Sequence, residues 1–364
     1  MRHYLDYNAS APMNKHVKNY IKEIIDFYGN PSSIHTKGRR IKNILELARQ
    51  RIALFINCVP KNIVFTSGAT EANNLALNGY KKKIISSVEH ESIIKQKNTI
   101  TVKVTKEGYI DLDMLENILQ SLKSKDKAIV SVMFANNETG IIQPIEKIRE
   151  ISLKHNVPFH TDSVQAIGRL NIDFLKLGID MMTVSSHKIG GPSGAGALIV
   201  ASKKQILKPV LLGGEQEDSL RSGTEPFLAI AGFGQAAEIL EVNKIEKLKV
   251  LRNSFENKLK KANLGIKIIG EKSKRLPNTF MMYTPKIKAE DLLIALDLEG
   301  FDVSTGSACS SGKAEPSIVL KNMGFSKQIA SGVIRISLGL YNNIDEADKF
   351  VYVLKKILKR FENI

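Results

Sequence analysis

The sequence holds only two cysteines in 364 residues, Cys58 and Cys309. Two thiols cannot make a disulfide framework, which fits a reducing compartment. Long apolar runs are missing too: nothing approaches the roughly 20 residues needed to cross a bilayer. The opening stretch MRHYLDYNASAPM lacks the apolar centre of a secretory signal, so the expected location is the cytoplasm. There is no internal repeat and no low-complexity segment. The G-x-x-x-x-G-K-[ST] pattern of an ATP-binding phosphate loop is absent as well.

Acidic residues are in deficit. Lys and Arg total 53 against 37 Asp and Glu, a formal charge of +16. The lysines are spread over nearly every predicted helix, as in NKIEKLKVLRNSFENKLKKANLGIK, and no nucleic-acid motif accompanies them. Solvated helix faces account for such a charge, so direct nucleic-acid binding is not expected. Attraction to an acidic protein, or to a partner carrying RNA, stays open.

Against these absences stands an ordinary globular composition, 43% apolar and 25% charged. The length exceeds one usual hydrophobic core, which predicts two domains. Strand-like runs NIVFTSG, KKIISSV, KAIVSVMFA, VPFHTDS, DMMTVSSHK and GALIV occur with helical patterns between several of them, TEANNLALNGY and IEKIREISLKHN among these. That alternation predicts an α/β domain with a largely parallel sheet. From about residue 235 a long charged helix pattern runs to KKANLG and reads as a bridge between domains. LPNTFMMYT, DLLIALDLEGFDVST and VIRISLGL follow, predicting a smaller α/β domain closed by a helix. In that helix Ala347, Phe350, Val351, Leu354, Leu358 and Phe361 recur at helical spacing and form one apolar face.

Four predicted strands end in polar sequences, and ligands in parallel sheets bind at the carboxyl ends of strands. IVFTSGATEANN passes through Gly68 into a helix near Thr70, where free amides and hydroxyls suit a phosphate. A plain cap by Ser67 or Thr70 explains it equally well. VMFANNETG brings Asn136, Asn137 and Glu138, which bind a polar ligand or merely close a turn. FHTDSVQAIG places Asp162 after a strand and Gln165 three residues on; the carboxylate suits a protonated ring nitrogen or a helix cap. TVSSHKIGGPSGAGALIV puts Lys188 at a strand end between apolar and glycine-rich flanks, an odd place for an amine without a task. A phosphate cradle, a carboxylate, amide donors and an amine together suit pyridoxal phosphate.

The fifth unusual stretch is STGSACSSGKAEPS, residues 304–317, small polar side chains around Cys309. Such a composition predicts a solvated loop, and an open thiol there makes sense only if its reactivity is used. Cys58, in the apolar FINCVP, reads as a small core side chain.

Taken in order, GNPSSIHTKGR, FTSGATEANN, VEHES, NNETGIIQPI, HTDSVQAIG, SSHKIGGPSGAGAL, LRSGTEPF and TGSACSS resemble the signature blocks of the pyridoxal-phosphate cysteine desulfurases of the NifS/IscS type. The likeness runs from YLDYNASAP to VIRISLGL. It implies the fold-type-I transferase architecture of the class-V aminotransferase superfamily: a large domain over residues 13–250 with a mostly parallel seven-stranded sheet, and a small domain from 1–12 and 251–364 carrying the cysteine loop. It further implies that Lys188 binds the cofactor covalently, Asp162 pairs with its ring nitrogen, and Gln165 hydrogen-bonds its phenolic oxygen. His90 would stack on the ring and act as acid and base. Ala69, Thr70, Ser185 and His187 would hold the phosphate, and Thr224 would reach it from a second subunit, which implies a homodimer. Asn137 and Arg335 would position L-cysteine, with Arg335 on its carboxylate. Cys309 would take the substrate sulfur as a persulfide, release L-alanine and pass sulfur to an acceptor protein for iron–sulfur assembly or thiolation. No metal and no membrane enter this reading.

Two departures from the pattern qualify the resemblance. The family's loop before RSGT usually reads Gly-Gly-Gln-Glu-Arg-Gly, whereas GGEQEDSLRSGT carries Glu215, Asp218 and Ser219. The chain also stops at LKRFENI, without the extension by which some members dock an iron–sulfur scaffold. The alternatives are a selenocysteine lyase, an aminotransferase, or a basic nucleic-acid-binding protein without activity. The thiol loop argues against the aminotransferase, and the intact site residues argue against the last.

Overall fold

The computed structural model describes residues 2–123, 126–202, 207–241, 244–306 and 316–362. After a short strand β1 (His3–Tyr4), seven strands build one sheet: β2 (Ile63–Thr66), β3 (Lys82–Ser86), β4 (Thr99–Val102), β5 (Ala128–Ser131), β6 (Phe159–Asp162), β7 (Met181–Ser185) and β8 (Gly196–Val200). Their spatial order is β2-β8-β7-β6-β5-β3-β4. All pairs are parallel except those of β8, which runs antiparallel to both β2 and β7. Helices cover both faces, which is why β2, β6, β7 and β8 are buried at every position. The alternation in the sequence located six of the seven strands. The seventh, β4, lies at the sheet edge with only Val102 buried, so its apolar signal is weak.

The long charged helix expected from about residue 235 is in fact two helices, Phe227–Glu238 and Lys244–Lys261. They separate because they serve different cores. The first is buried along most of its length and packs on helix Thr36–Ile56, where a Cβ on Gly234 would lie 2.5 Å from Ala48 Cα. The second sends Leu251, Phe255 and Leu259 into another core.

That second core sits under a four-stranded antiparallel sheet in the order β12-β13-β10-β9, with β9 (Lys267–Ile269), β10 (Thr279–Tyr283), β12 (Ser304–Thr305) and β13 (Val333–Ser337). The remaining strand, β11 (Phe301–Asp302), pairs in parallel with β1. Phe255, Phe280, Phe301 and Phe350 interlock there, with Phe301 edge-on to Phe350 at 5.4 Å between ring centres. Leu5 is fully buried in the same cluster, and Asp6 bridges to Ser337, so the N-terminal segment packs with the C-terminal third of the chain. In the closing helix, Asp345–Glu362, the expected face is buried from Ala347 to Leu358, with Ile357 added. Phe361 departs from the expectation: it is 38% exposed, in the last turn, beyond the reach of the core.

Candidate active site

The carboxyl ends of β2 and β7 meet the start of β8. Gly196 lies opposite Thr66 on one side and Ser185 on the other. This register brings the turn into helix Ala69–Asn78 beside Ser185 and His187. Neither Ser67 nor Thr70 caps that helix: its cap position is Gly68, with no side-chain hydrogen bond. A Cβ on Gly196 would sit 2.7 Å from Gly68 Cα, whereas one on Gly68 would meet nothing within 4 Å. The helix therefore begins with free amides beside open space, which favours an anion. Ala69 is half-buried and Thr70 exposed there. Ser185 Oγ lies 2.9 Å from His187 Nδ1. Burial, with Lys188 and Arg169 nearby, pushes His187 down to about 4, so it is a neutral hydrogen-bonding group at neutral pH.

Asp162 ends β6 and is 7% exposed. Its two oxygens have different partners. Oδ1 accepts from Val164 N at 3.0 Å, closing the turn, while Oδ2 accepts from Asn73 Nδ2 at 2.8 Å. Asn73 Nδ2 also donates to Ser92 Oγ at 2.9 Å, and Ser92 Oγ lies 2.9 Å from His90 Nδ1. Asp162 and His90 are thus linked through one buried amide. Asn73 was not singled out from the sequence, yet it lies four residues after Ala69 and so shares the helix face of that uncapped turn. Glu89 was missed too. It is buried, accepts from Met133 N at 2.9 Å and 3.0 Å, and burial raises its carboxyl well above the usual range.

Lys188 closes the short turn after β7, half-buried. Its Nζ donates to the carbonyls of Asn8 at 2.5 Å and Ala9 at 2.8 Å. Gln165 Nε2 converges on the same Asn8 carbonyl at 3.0 Å, and Gln165 Oε1 accepts from Arg169 Nη1. The side chain of Asn8 points onward: Nδ2 donates to Asn137 O at 3.1 Å and to Thr279 Oγ1 at 3.0 Å. Arg335, 3% exposed in β13, donates from Nη1 to that Asn137 carbonyl at 3.1 Å and from Nη2 to Asp6 Oδ1 at 2.6 Å. Its Nε is buried with no partner among the described residues. Asn8 is therefore the hub between the amine and the arginine. No single-sequence signal marks it, because its partners lie more than 120 residues away.

Two expected residues stand apart. Thr224 is exposed. Its segment is held to helix Ala69–Asn78 by Arg221 Nε on Glu71 Oε1 at 3.0 Å. Cys309 lies outside the described residues. The other thiol, Cys58, is half-buried against the main core, and burial pushes it up to about 12.

In the loop that departs from the family pattern, Glu217, Asp218 and Ser219 all adopt left-handed backbone, with φ of 49°, 57° and 63°. Glu217 anchors the turn, gripping Arg49 at 2.7 Å and 3.0 Å and accepting from Phe65 N at 2.8 Å. Glu215 and Asp218 face outward, so the rim does carry added acidic charge. Among the described residues there is no His, Cys, Asp or Glu cluster able to hold a metal, and no helix long and apolar enough to cross a membrane.

The model of the class-V aminotransferase family matches residues 3–350. A protein named cysteine desulfurase IscS from Dictyoglomus turgidum is 38% identical over 381 residues, covering 99% of this chain and 95% of its own. One named cysteine desulfurase IscS 1 from Archaeoglobus fulgidus is also 38% identical, covering 99% of this chain and 98% of its own. Among solved structures, a NifS-like protein from Rickettsia africae superposes with a TM-score of 0.92 at 38% identity, covering 99% of this chain and 100% of that one.

Proposed function

The chain belongs to the class-V aminotransferase family, and from that premise we propose that it is a cysteine desulfurase that moves sulfur from L-cysteine to Cys309 and then to an acceptor protein. One observation carries the reading. The amine of Lys188 and the amide of Gln165 converge on Asn8, whose side chain reaches the carbonyl held by Arg335. That chain of contacts supports a site in which a reactive amine and a carboxylate-binding arginine act together.

The residues fit pyridoxal 5'-phosphate. The uncapped helix start at Gly68, with Ser185 and His187, suits its phosphate; Asp162 suits the ring nitrogen, Gln165 the phenolic oxygen and Lys188 the aldehyde. Bound there, the group would supply an electron sink that loosens the bonds at the substrate's α-carbon. Arg335 orients the substrate by its α-carboxylate. Lys188 Nζ, released from the Asn8 and Ala9 carbonyls, takes the α-proton. His90, held at Nδ1 by Ser92, would lie against the bound group and serve in proton transfer. The thiolate of Cys309 attacks the substrate sulfur: an S–S bond forms and the C–S bond breaks. The carbon skeleton keeps the electron pair, gains a proton and leaves as L-alanine. A free thiol has a pKa of about 8.5, so this step needs local help to ionise Cys309. Thr224 completes the phosphate site of a second subunit in a homodimer, and the acceptor is an iron–sulfur scaffold or a thiolation enzyme.

The test is a cofactor-loaded preparation given L-cysteine, with alanine and protein-bound persulfide counted together. Lys188→Ala is expected to abolish the visible absorbance, and Cys309→Ala to keep the colour but lose the persulfide. Unchanged sulfur release by Cys309→Ala would refute the role of that thiol. Transfer of labelled sulfur to candidate acceptors identifies the partner.

A further inference from the structure

The turn that carries Asn137 reaches in two directions. At one residue the Asn137 carbonyl meets Arg335 Nη1 at 3.1 Å. At the next, Glu138 is 8% exposed and its Oε2 accepts from Ser317 Oγ at 2.5 Å. A Cβ added to Gly306 would lie 2.9 Å from that same oxygen, so the backbone at 306 passes directly against it. Gly306 and Ser317 flank residues 307–315, the stretch that contains Cys309. A single carboxylate oxygen touches both flanks.

Each partner of Glu138 is itself fixed. The N–H of Ser317 donates to Ala330 O at 2.9 Å, and its Oγ accepts from Leu320 N at 3.1 Å as the cap of helix Ile318–Asn322. On the other flank, Ser304 of β12 pairs with Arg335 of β13. The backbone of Glu138 is held by Asn136 Oδ1, which accepts from Glu138 N at 3.0 Å and Thr139 N at 2.9 Å. Burial pushes Glu138 up to about 7, opposed first by the Ser317 hydrogen bond and then by the charge of Arg335.

We propose that Glu138 is a positioning residue that sets the separation of Gly306 and Ser317 and so the reach of Cys309 toward the substrate sulfur. The inference rests on the reading of Cys309 as the sulfur-accepting thiol. It joins the substrate's carboxylate grip and the flanks of the thiol segment through consecutive residues, Asn137 and Glu138.

The test uses the cofactor-loaded enzyme with Glu138→Ala, Glu138→Gln and Ser317→Ala. Three quantities are read: the single-turnover rate of Cys309 persulfide formation, the KM for cysteine, and the rate at which iodoacetamide labels Cys309 without substrate. Glu138→Ala is expected to lower the persulfide rate about tenfold with KM little changed, because misplacing a reacting atom costs rate more than binding. Its Cys309 labelling rate is expected to change about threefold. Glu138→Gln, which keeps an oxygen for the Ser317 hydroxyl, recovers most of the rate. Ser317→Ala removes the same contact from the other side and decides the matter if Glu138→Ala fails to fold. Persulfide and labelling rates within about twofold of wild type in the variants that fold would overturn the role of Glu138 alone. A wild-type enzyme that forms no Cys309 persulfide would overturn the functional reading, and this role with it.

Discussion

Replacing Asn8 by Ala removes the side chain that joins the N-terminal segment to the turn carrying Asn137. Asn8 is 1% exposed, and its amide donates at 3.1 Å to Asn137 O and 3.0 Å to Thr279 Oγ1. Its Oδ1 lies within 3.3 Å of Asn278 Nδ2. Thr279 Oγ1 also lies 3.2 Å from Asn8 Oδ1, but its one proton goes to the nearer Asn278 Oδ1 at 2.9 Å, so Ala loses three bonds. Each contributes about 1 kcal/mol net. The partners keep other bonds, Asn137 O to Arg335 and Asn278 Nδ2 to Leu338 O, so none is left orphaned. The expected loss is about 2–3 kcal/mol. At about 2 °C per kcal/mol for a chain of this size, the melting temperature drops by roughly 5 °C. The backbone carbonyl that holds Lys188 shifts with it, so the KM for cysteine rises as well. Asn8→Asp, which sets a carboxylate against the Asn137 carbonyl, should be no milder. Thermal melts followed by circular dichroism, together with KM measurements, check both effects. A melting point within about 1 °C of wild type and an unchanged KM would show that Asn8 does not couple the two parts.

Three further outcomes follow from the geometry. Gly196→Ala places a methyl 2.7 Å from the backbone of Gly68, so the phosphate turn must move; pyridoxal-phosphate affinity by titration falls about tenfold or more, and unaltered affinity would refute that placement. Cys58 is a protonated thiol at neutral pH, so alkylation at pH 7 followed by mass spectrometry marks Cys309 first, and Cys58→Ser keeps full activity. His160, fully buried between Ser131 Oγ and Thr183 Oγ1 at 2.9 Å each, is pushed by burial down to about 3 from 6.5. Its neutral form stabilises the fold above the unfolded pKa, and that contribution is lost as pH falls from 6.5 toward 3. The stability margin of wild type over His160→Asn in urea should therefore shrink by about 2 kcal/mol between pH 8 and pH 5. A margin independent of pH would contradict a neutral buried imidazole.

Much of the site was legible because a parallel sheet delivers its polar strand ends to one edge. An amine after DMMTVSSH, or a carboxylate after VPFHT, ends the strand-like run it follows, and that ending is visible in one dimension. Strands buried on both faces were equally visible, whereas TITV at the edge was not, since an edge strand need not be apolar throughout. The break between helices Phe227–Glu238 and Lys244–Lys261 was hidden for a similar reason, as helical spacing continues across it and only the packing partners differ.

Asn8, Asn73 and Glu138 belong to another class. Their neighbours in sequence make Asn8 and Asn73 look like a turn residue and a helix polar group, and although Glu138 stood out as a possible ligand group, nothing local names its partner. Their roles depend on atoms brought together by folding: Asn8 meets Thr279, Asn73 meets Asp162, and Glu138 meets Ser317 across 179 positions. Sequence alone determined which chemical groups the chain owns and which strand ends present them, through patterns that short-range sterics and burial impose. Tertiary structure decided which of those groups share a hydrogen bond, because a bond of about 3 Å depends on the packing of both cores at once.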